Sequence, residues 1–228
     1  MRLAVGWLSP PRVQGREPPP VADRPLRRAV FLDRDGTICE EVGYMNHISR
    51  LHIFPFAAAA VRRLNEAGFP VIIVTNQSGA ARGYFPESLI AEIHDRIRHD
   101  LAVSGARIDA FYACPHRSED GCDCRKPRTG MLERAAREHA LAVPGSWVVG
   151  DRRADVDLAH NARARSIFVL TGYGRGEYEW HSRDWSHQPE FVAENLAGAV
   201  DKILHIESAE TAGQGATHRP AMTPGGAR

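Results

Sequence analysis

No stretch of this sequence reaches the roughly 18 consecutive apolar residues that a membrane-spanning helix needs. The apolar run nearest the N-terminus, Leu3–Leu8, breaks at Pro10-Pro11 and is too short for the core of a secretory signal. A cytoplasmic protein is therefore expected. An excess of charge of one sign is also missing: 29 basic residues stand against 28 acidic ones, a formal net charge of +1. That balance creates no field to gather nucleic acid or an acidic membrane, so neither is expected as a partner, whereas a small, locally recognised substrate is. Cysteine is scarce, at four residues, and three of the four crowd between positions 114 and 124. In a reducing compartment that crowding points to a metal rather than to a disulfide framework. There is no internal repeat.

What is present is an ordinary globular composition, 43% hydrophobic and 25% charged over 228 residues, enough to bury one core. Residues 1–26 are rich in Pro and Arg and carry neither a period of 2 nor of 3.6, so a poorly ordered leader is expected there. From residue 207 the chain is expected to become a flexible tail of small and polar residues. The domain between them, 27–206, alternates short β-branched runs with helical periods. The expected strands are Ala29–Leu32, Pro70–Thr75, Ala110–Ala113, Ser146–Gly150 and Ser166–Leu170. The expected helices are Ala57–Ala67, closed by Gly68, then Glu87–Val103, Gly130–His139, Ala154–Ala162 and Leu196–His205. This order predicts an α/β fold, a three-layer, doubly wound parallel sheet, with ligands bound beyond the carboxyl ends of its strands. Gly172-Tyr173-Gly174-Arg175-Gly176 lacks the spacing of a dinucleotide fingerprint and is read as a flexible loop.

The residues that follow the expected strands are where chemistry is sought, although a bare D-x-D-G also reads as a solvated turn. Asp33 and Asp35, in Asp33-Arg34-Asp35-Gly36-Thr37, would point to one side if the extended geometry continued. A carboxylate is a ready nucleophile toward phosphorus at neutral pH, and a second can give and take a proton. Two carboxylates and a phosphate repel, so cations must be supplied. Asp151 adds a third acid after the fourth strand, and oxygen ligation of this kind suits magnesium. Lys126 supplies a second positive charge, and Thr75-Asn76-Gln77-Ser78 supplies hydroxyl and amide donors for phosphate oxygens. Cys114-x-His116 and Cys122-x-Cys124 offer three thiolates and an imidazole, enough to close a tetrahedral zinc shell; reduced loop cysteines or an adventitious disulfide are the alternatives from spacing alone.

The set D-R-D-G-T (33–37), V-T-N-Q-S-G (74–79), C-P-H (114–116), C-D-C-R-K-P (122–127), G-M-L (130–132) and V-G-D (149–151) resembles the zinc-loop phosphatases of the haloacid dehalogenase superfamily. The similarity covers roughly residues 28–205. It implies a domain without a large cap, Asp33 as nucleophile and Asp35 as general acid and base. Magnesium would sit on the carboxylates of Asp33 and Asp151 and the backbone carbonyl of Asp35. Thr75 and Lys126 would stabilise the phosphoryl group, and Glu41, Gly43, Tyr44, Asn76, Gln77, Ser78, Arg125 and Arg152 would meet the substrate. Arg152 stands where a member of that family carries Lys. Zinc on Cys114, His116, Cys122 and Cys124 would be structural, because a filled shell leaves no open position, and it would position Arg125 and Lys126. The expected activity is removal of the 7-phosphate of D-glycero-D-manno-heptose 1,7-bisphosphate through an aspartyl-phosphate, by a monomer. The rivals are a histidinol-phosphate phosphatase and, from another class, a signalling module that accepts phosphate on Asp33.

Overall fold

A computed structural model describes residues 26–216, with side chains as far as Glu210. Most of the expected leader and the last part of the expected tail lie outside the described residues. Six strands form one sheet: β1 (Val30–Leu32), β2 (Val71–Asn76), β3 (Ala110–Cys114), β4 (Trp147–Gly150), β5 (Arg165–Val169) and β6 (Phe191–Ala193), in the spatial order β3-β2-β1-β4-β5-β6. Every pairing is parallel. The helices are α1 (Ala57–Glu66), α2 (Ser88–Val103), α3 (Gly130–His139), α4 (Arg153–Asn161), α5 (Gly174–His181) and α6 (Leu196–Ala216).

Strand alternation divides the core between the two faces of the sheet. Val30, Leu32, Val71, Ile73, Trp147 and Val149 pack with Leu64 of α1, Ile93 of α2 and Val200 of α6. Ala29, Phe31, Ile72, Val74 and Val148 pack on the other face with Leu132 of α3 and Leu158 of α4. A sheet covered on both faces reads in sequence as continuous apolar runs, which is why the five expected strands agree with the structure to within a residue at each end. Among the described residues there is no separate cap domain, and no helix is long and apolar enough to cross a membrane.

The structure departs from the sequence reading in three places. The Gly172–Gly176 stretch is not simply a loop: α5 begins at Gly174. A Cβ at residue 174 would lie 1.9 Å from the Val169 carbonyl oxygen, so glycine there serves close packing against β5. Strand β6 is only three residues long and half-buried, too short to carry a pattern. The third concerns the tail. Helix α6 continues through residue 216, past the expected end at His205. Glu207 is buried and accepts the Trp147 Nε1–H at 2.8 Å while pairing with Arg28. Glu210 bonds Arg165 and Arg28. These long-range anchors hold a segment whose composition alone reads as tail. The aromatic residues near the C-terminus also sort themselves: Tyr178 and Trp185 cover Phe168 of β5, while Trp180 is 78% exposed.

Candidate active site

The chain runs from β1 to β2 and β3 on one side of the sheet, then crosses to β4 on the other, so the switch in direction falls between β1 and β4. The ends of these two strands open a crevice there. Leu32 is in register with Val149, and the Asp33 N–H donates to the Val149 carbonyl at 2.9 Å. Asp33 and Asp151 are thereby brought together from the ends of adjacent strands.

Asp33, Asp151 and Asp155 are all buried, with ligand oxygens within 4.8 Å of one another. Asp33 Oδ1 accepts the Arg34 N–H at 2.7 Å and the Lys126 ammonium at 2.9 Å. Both bonds fall on the same oxygen. Asp151 accepts the Tyr173 N–H on Oδ2 at 2.8 Å, while its buried Oδ1 has no hydrogen-bond partner. Gly36 and Gly172 approach Asp151 so closely that a Cβ at either would lie 2.2 Å from Oδ2. Asp155 was not among the expected site residues. Its Oδ1 accepts Lys126 Nζ at 2.7 Å and its Oδ2 the Arg152 N–H at 3.1 Å, so both of its oxygens are occupied and it anchors the lysine. The signal for it was its place four residues after Asp151, in the first turn of α4, where a carboxylate caps orphan N–H groups.

Burial raises the Asp33 carboxyl from 3.8 to about 7, outweighing the Lys126 charge. Burial, then the neighbouring charge of Asp33, likewise pushes Asp151 well up. Burial by itself would lower Lys126, but Asp155 and Asp33 outweigh it and hold the ammonium charged. An unpartnered buried carboxylate oxygen beside a second desolvated carboxylate favours a cation between them. The oxygen-only donor set and its span suit a magnesium ion, with ligand distances near about 2.1 Å.

Asp35 does not reach the site by strand alternation, because β1 ends at Leu32 and the chain turns, with Ile38 N–H bonded to the Arg34 carbonyl and Gly36 at φ +76°. The fully buried Arg34 instead grips Asp35 through Nε and Nη2, the shortest contact being 2.8 Å. Gln77 Nε2 donates to Asp35 Oδ2 at 2.7 Å and to Thr75 Oγ1 at 2.9 Å. Gln77 therefore orients Asp35 and Thr75, and Asn76 bonds the Lys126 backbone in both directions, at 3.0 and 3.2 Å. A cavity of about 300 Å³ over Asp33 is lined by Glu41, Asn76, Arg125, Lys126, Arg152 and Glu177. Of the expected substrate contacts, Gly43, Tyr44, Gln77 and Ser78 are not in that lining. Tyr44 meets Tyr84 in a tilted ring contact, centroids 4.6 Å apart, and its loop is laced by Arg50 to the carbonyls of Val42 and Tyr44.

The cysteine loop closes on itself. Cys122 Sγ lies 3.6 Å from Cys114 Sγ and 3.5 Å from Cys124 Sγ, and His116 Nδ1 lies 3.2 Å from Cys124 Sγ. A disulfide needs an S–S distance of about 2.05 Å, so these cysteines are free. A tetrahedral shell with Zn–S of about 2.3 Å has edges of about 3.7 Å, so separations of 3.2 to 3.6 Å are compatible with a metal site. The loop delivers Arg125, whose Nη1 bonds the His116 carbonyl at 3.2 Å, and Lys126 directly after it.

A family model described as HAD-hydrolase-like matches residues 123–199. The D-glycero-D-manno-heptose-1,7-bisphosphate 7-phosphatase of Thermosynechococcus vestitus is 44% identical over 192 residues, covering 78% of this chain and 95% of that protein. The D-glycero-beta-D-manno-heptose-1,7-bisphosphate 7-phosphatase of Pasteurella multocida is 34% identical, covering 80% of this chain and 100% of that protein. The crystal structure of a D,D-heptose 1,7-bisphosphate phosphatase from B. bronchiseptica, complexed with magnesium and phosphate, matches with a TM-score of 0.72 at 34% identity, covering 78% of this chain and 99% of that one.

Proposed function

Because this chain belongs to the HAD-like hydrolases, in the family of the D-glycero-D-manno-heptose-1,7-bisphosphate 7-phosphatases, we propose that it hydrolyses the 7-phosphate of that sugar bisphosphate, with Asp33 as nucleophile. The chain is a phosphoric monoester hydrolase. The observation that carries the site reading is the buried pair of Asp33 and Asp151, the first held by Lys126 and the second with an oxygen left unpartnered.

The Asp33 carboxylate attacks phosphorus, and the bond from phosphorus to the C7 oxygen breaks. Asp35, oriented by Arg34 and Gln77, gives its proton to the departing alkoxide. It then takes a proton from water, which attacks the aspartyl-phosphate, releases inorganic phosphate and restores Asp33. Asp33, Asp151 and the Asp35 carbonyl would hold magnesium, which neutralises charge at the transferred group. Lys126 and Thr75 face the same group, the lysine kept charged by Asp155. Arg125, Arg152, Glu41 and Asn76 line the cavity for the rest of the sugar; Gly43 and Tyr44 belong to the loop that begins at Glu41, and Gln77 and Ser78 support the phosphate-binding turn. Zinc on Cys114, His116, Cys122 and Cys124 would be structural. A reducing cytoplasm suits these free thiols, and the protein is proposed to act as a monomer.

Phosphate release from heptose 1,7-bisphosphate and from histidinol phosphate, with Asp33→Asn as the blank, tests the reading. The sugar bisphosphate is expected to give the higher kcat/KM. A higher value for histidinol phosphate would overturn the substrate assignment. A stable phospho-aspartate without phosphate release, unaffected by Asp35→Asn, would overturn the hydrolase mechanism.

A further inference from the structure

Helix α5 opens beside the acid cluster, and its first turn does more than cover β5. The Tyr173 N–H is spent on Asp151, and the Tyr173 ring lies beneath the Arg152 guanidinium at 4.5 Å. One turn further on, Glu177 uses both carboxylate oxygens: Oε2 pairs with Arg152 Nε at 2.5 Å and Oε1 accepts the Arg153 N–H at the start of α4, at 2.8 Å. Its side chain is only 18% exposed. Because Glu177 engages Nε, the donors that Arg152 has left for a ligand are Nη1 and Nη2, the fork that matches a phosphate in bidentate geometry.

Arg152 also stands on a boundary. It lines the cavity of about 300 Å³ over Asp33, and on its other side a second cavity of about 590 Å³ walled by Trp180 and Trp185. A guanidinium freed from Glu177 could turn to either one. Among the described residues Arg152 makes no bond to Asp33 or Lys126, so its fork is placed for a part of the ligand other than the phosphoryl group on Asp33.

We infer that Glu177 and Tyr173 are positioning residues that clamp Arg152 at the cavity it lines over Asp33, where the sugar-bisphosphate reading places the phosphate that is not transferred. The clamp suits arginine: a lysine at 152 would offer Glu177 and the phosphate one shared ammonium in place of a planar fork. This inference rests on the sugar-bisphosphate reading above.

The test compares heptose 1,7-bisphosphate with heptose 7-phosphate, which keeps the transferred group and lacks the other. Glu177→Gln retains an oxygen for the Arg153 N–H and loses the charge on Arg152. It is expected to lower the ratio of kcat/KM for the bisphosphate over the monophosphate about tenfold, through KM. Arg152→Lys is expected to lower the same ratio, and Glu177→Gln should add nothing in an Arg152→Ala background. Tyr173→Leu, which keeps the backbone N–H on Asp151, is a second route to the same loss. If the wild-type protein prefers the bisphosphate and Glu177→Gln leaves the ratio within twofold, or slows both substrates equally, the clamp is refuted. A wild-type protein without that preference would overturn the substrate reading, and the clamp with it.

Discussion

Three carboxylates and one ammonium share the buried space at the ends of β1 and β4, and each is bonded differently. Asp33 has one oxygen tied and one available, Asp151 keeps a bare oxygen, and Asp155 has neither. Asp33→Asn is accordingly expected to lower phosphate release by about 10³-fold or more, with circular dichroism unchanged, because the amide is not a nucleophile. Asp155→Asn should leave the nucleophile intact and loosen Lys126, lowering kcat about tenfold to a hundredfold with a smaller change in KM, a steady-state measurement. The candidates Asp33, Asp35, Lys126 and Asp151 could be picked out in the sequence because each follows an apolar strand or a cysteine pair. The division of labour with Asp155 was not, since it depends on which oxygen meets Lys126 Nζ across the crevice. Glu177 was silent in the sequence for the same reason: nothing local marks a carboxylate whose partners, Arg152 and Arg153, lie at the start of another helix.

At the level of elements, the cysteine loop and the last turns of α6 show how long-range contacts reassign segments. Cys122→Ser is expected to remove bound zinc, read by metal analysis, and to raise amide hydrogen exchange over residues 115–129. Activity should fall with it, because the loop supplies Arg125 and Lys126. Retention of one equivalent of zinc would refute the ligand set. Glu207→Ala strips the partner from the buried Trp147 N–H, and a loss of about 1–3 kcal/mol in chemical denaturation is expected. The five expected strands were legible because burial on both faces makes them continuous apolar runs. Helix α5 was not, since its only buried residue is Gly174 and it therefore carries no apolar stripe. The last turns of α6 read as tail for a related reason, their anchors being Trp147, Arg165 and Arg28 rather than an amphipathic face.

For the molecule as a whole, the acid cluster links stability to both protons and metal. Asp33, raised to about 7, and Asp151, raised in the same direction, bind protons in the folded state that the unfolded chain has already released. The metal-free protein therefore has this contribution in full below the ordinary carboxylate value of 3.8 and loses it as pH rises through about 7. Magnesium should restore it where the carboxylates are ionised. Its addition is expected to raise Tm more at pH 8 than at pH 6 at constant ionic strength; an equal rise at both would contradict the link. By itself the sequence determined what depends on neighbours along the chain: the strand runs, the helix capped at Gly68, the cysteine spacing and the chemical kinds of side chain after each strand. Only the tertiary structure decided which oxygen of each carboxylate is free, that Asp155 serves Lys126, and that Arg152 is held from α5. Those outcomes depend on strand order and on the close approach of Gly36 and Gly172 to Asp151, which bring together residues that are far apart in the chain.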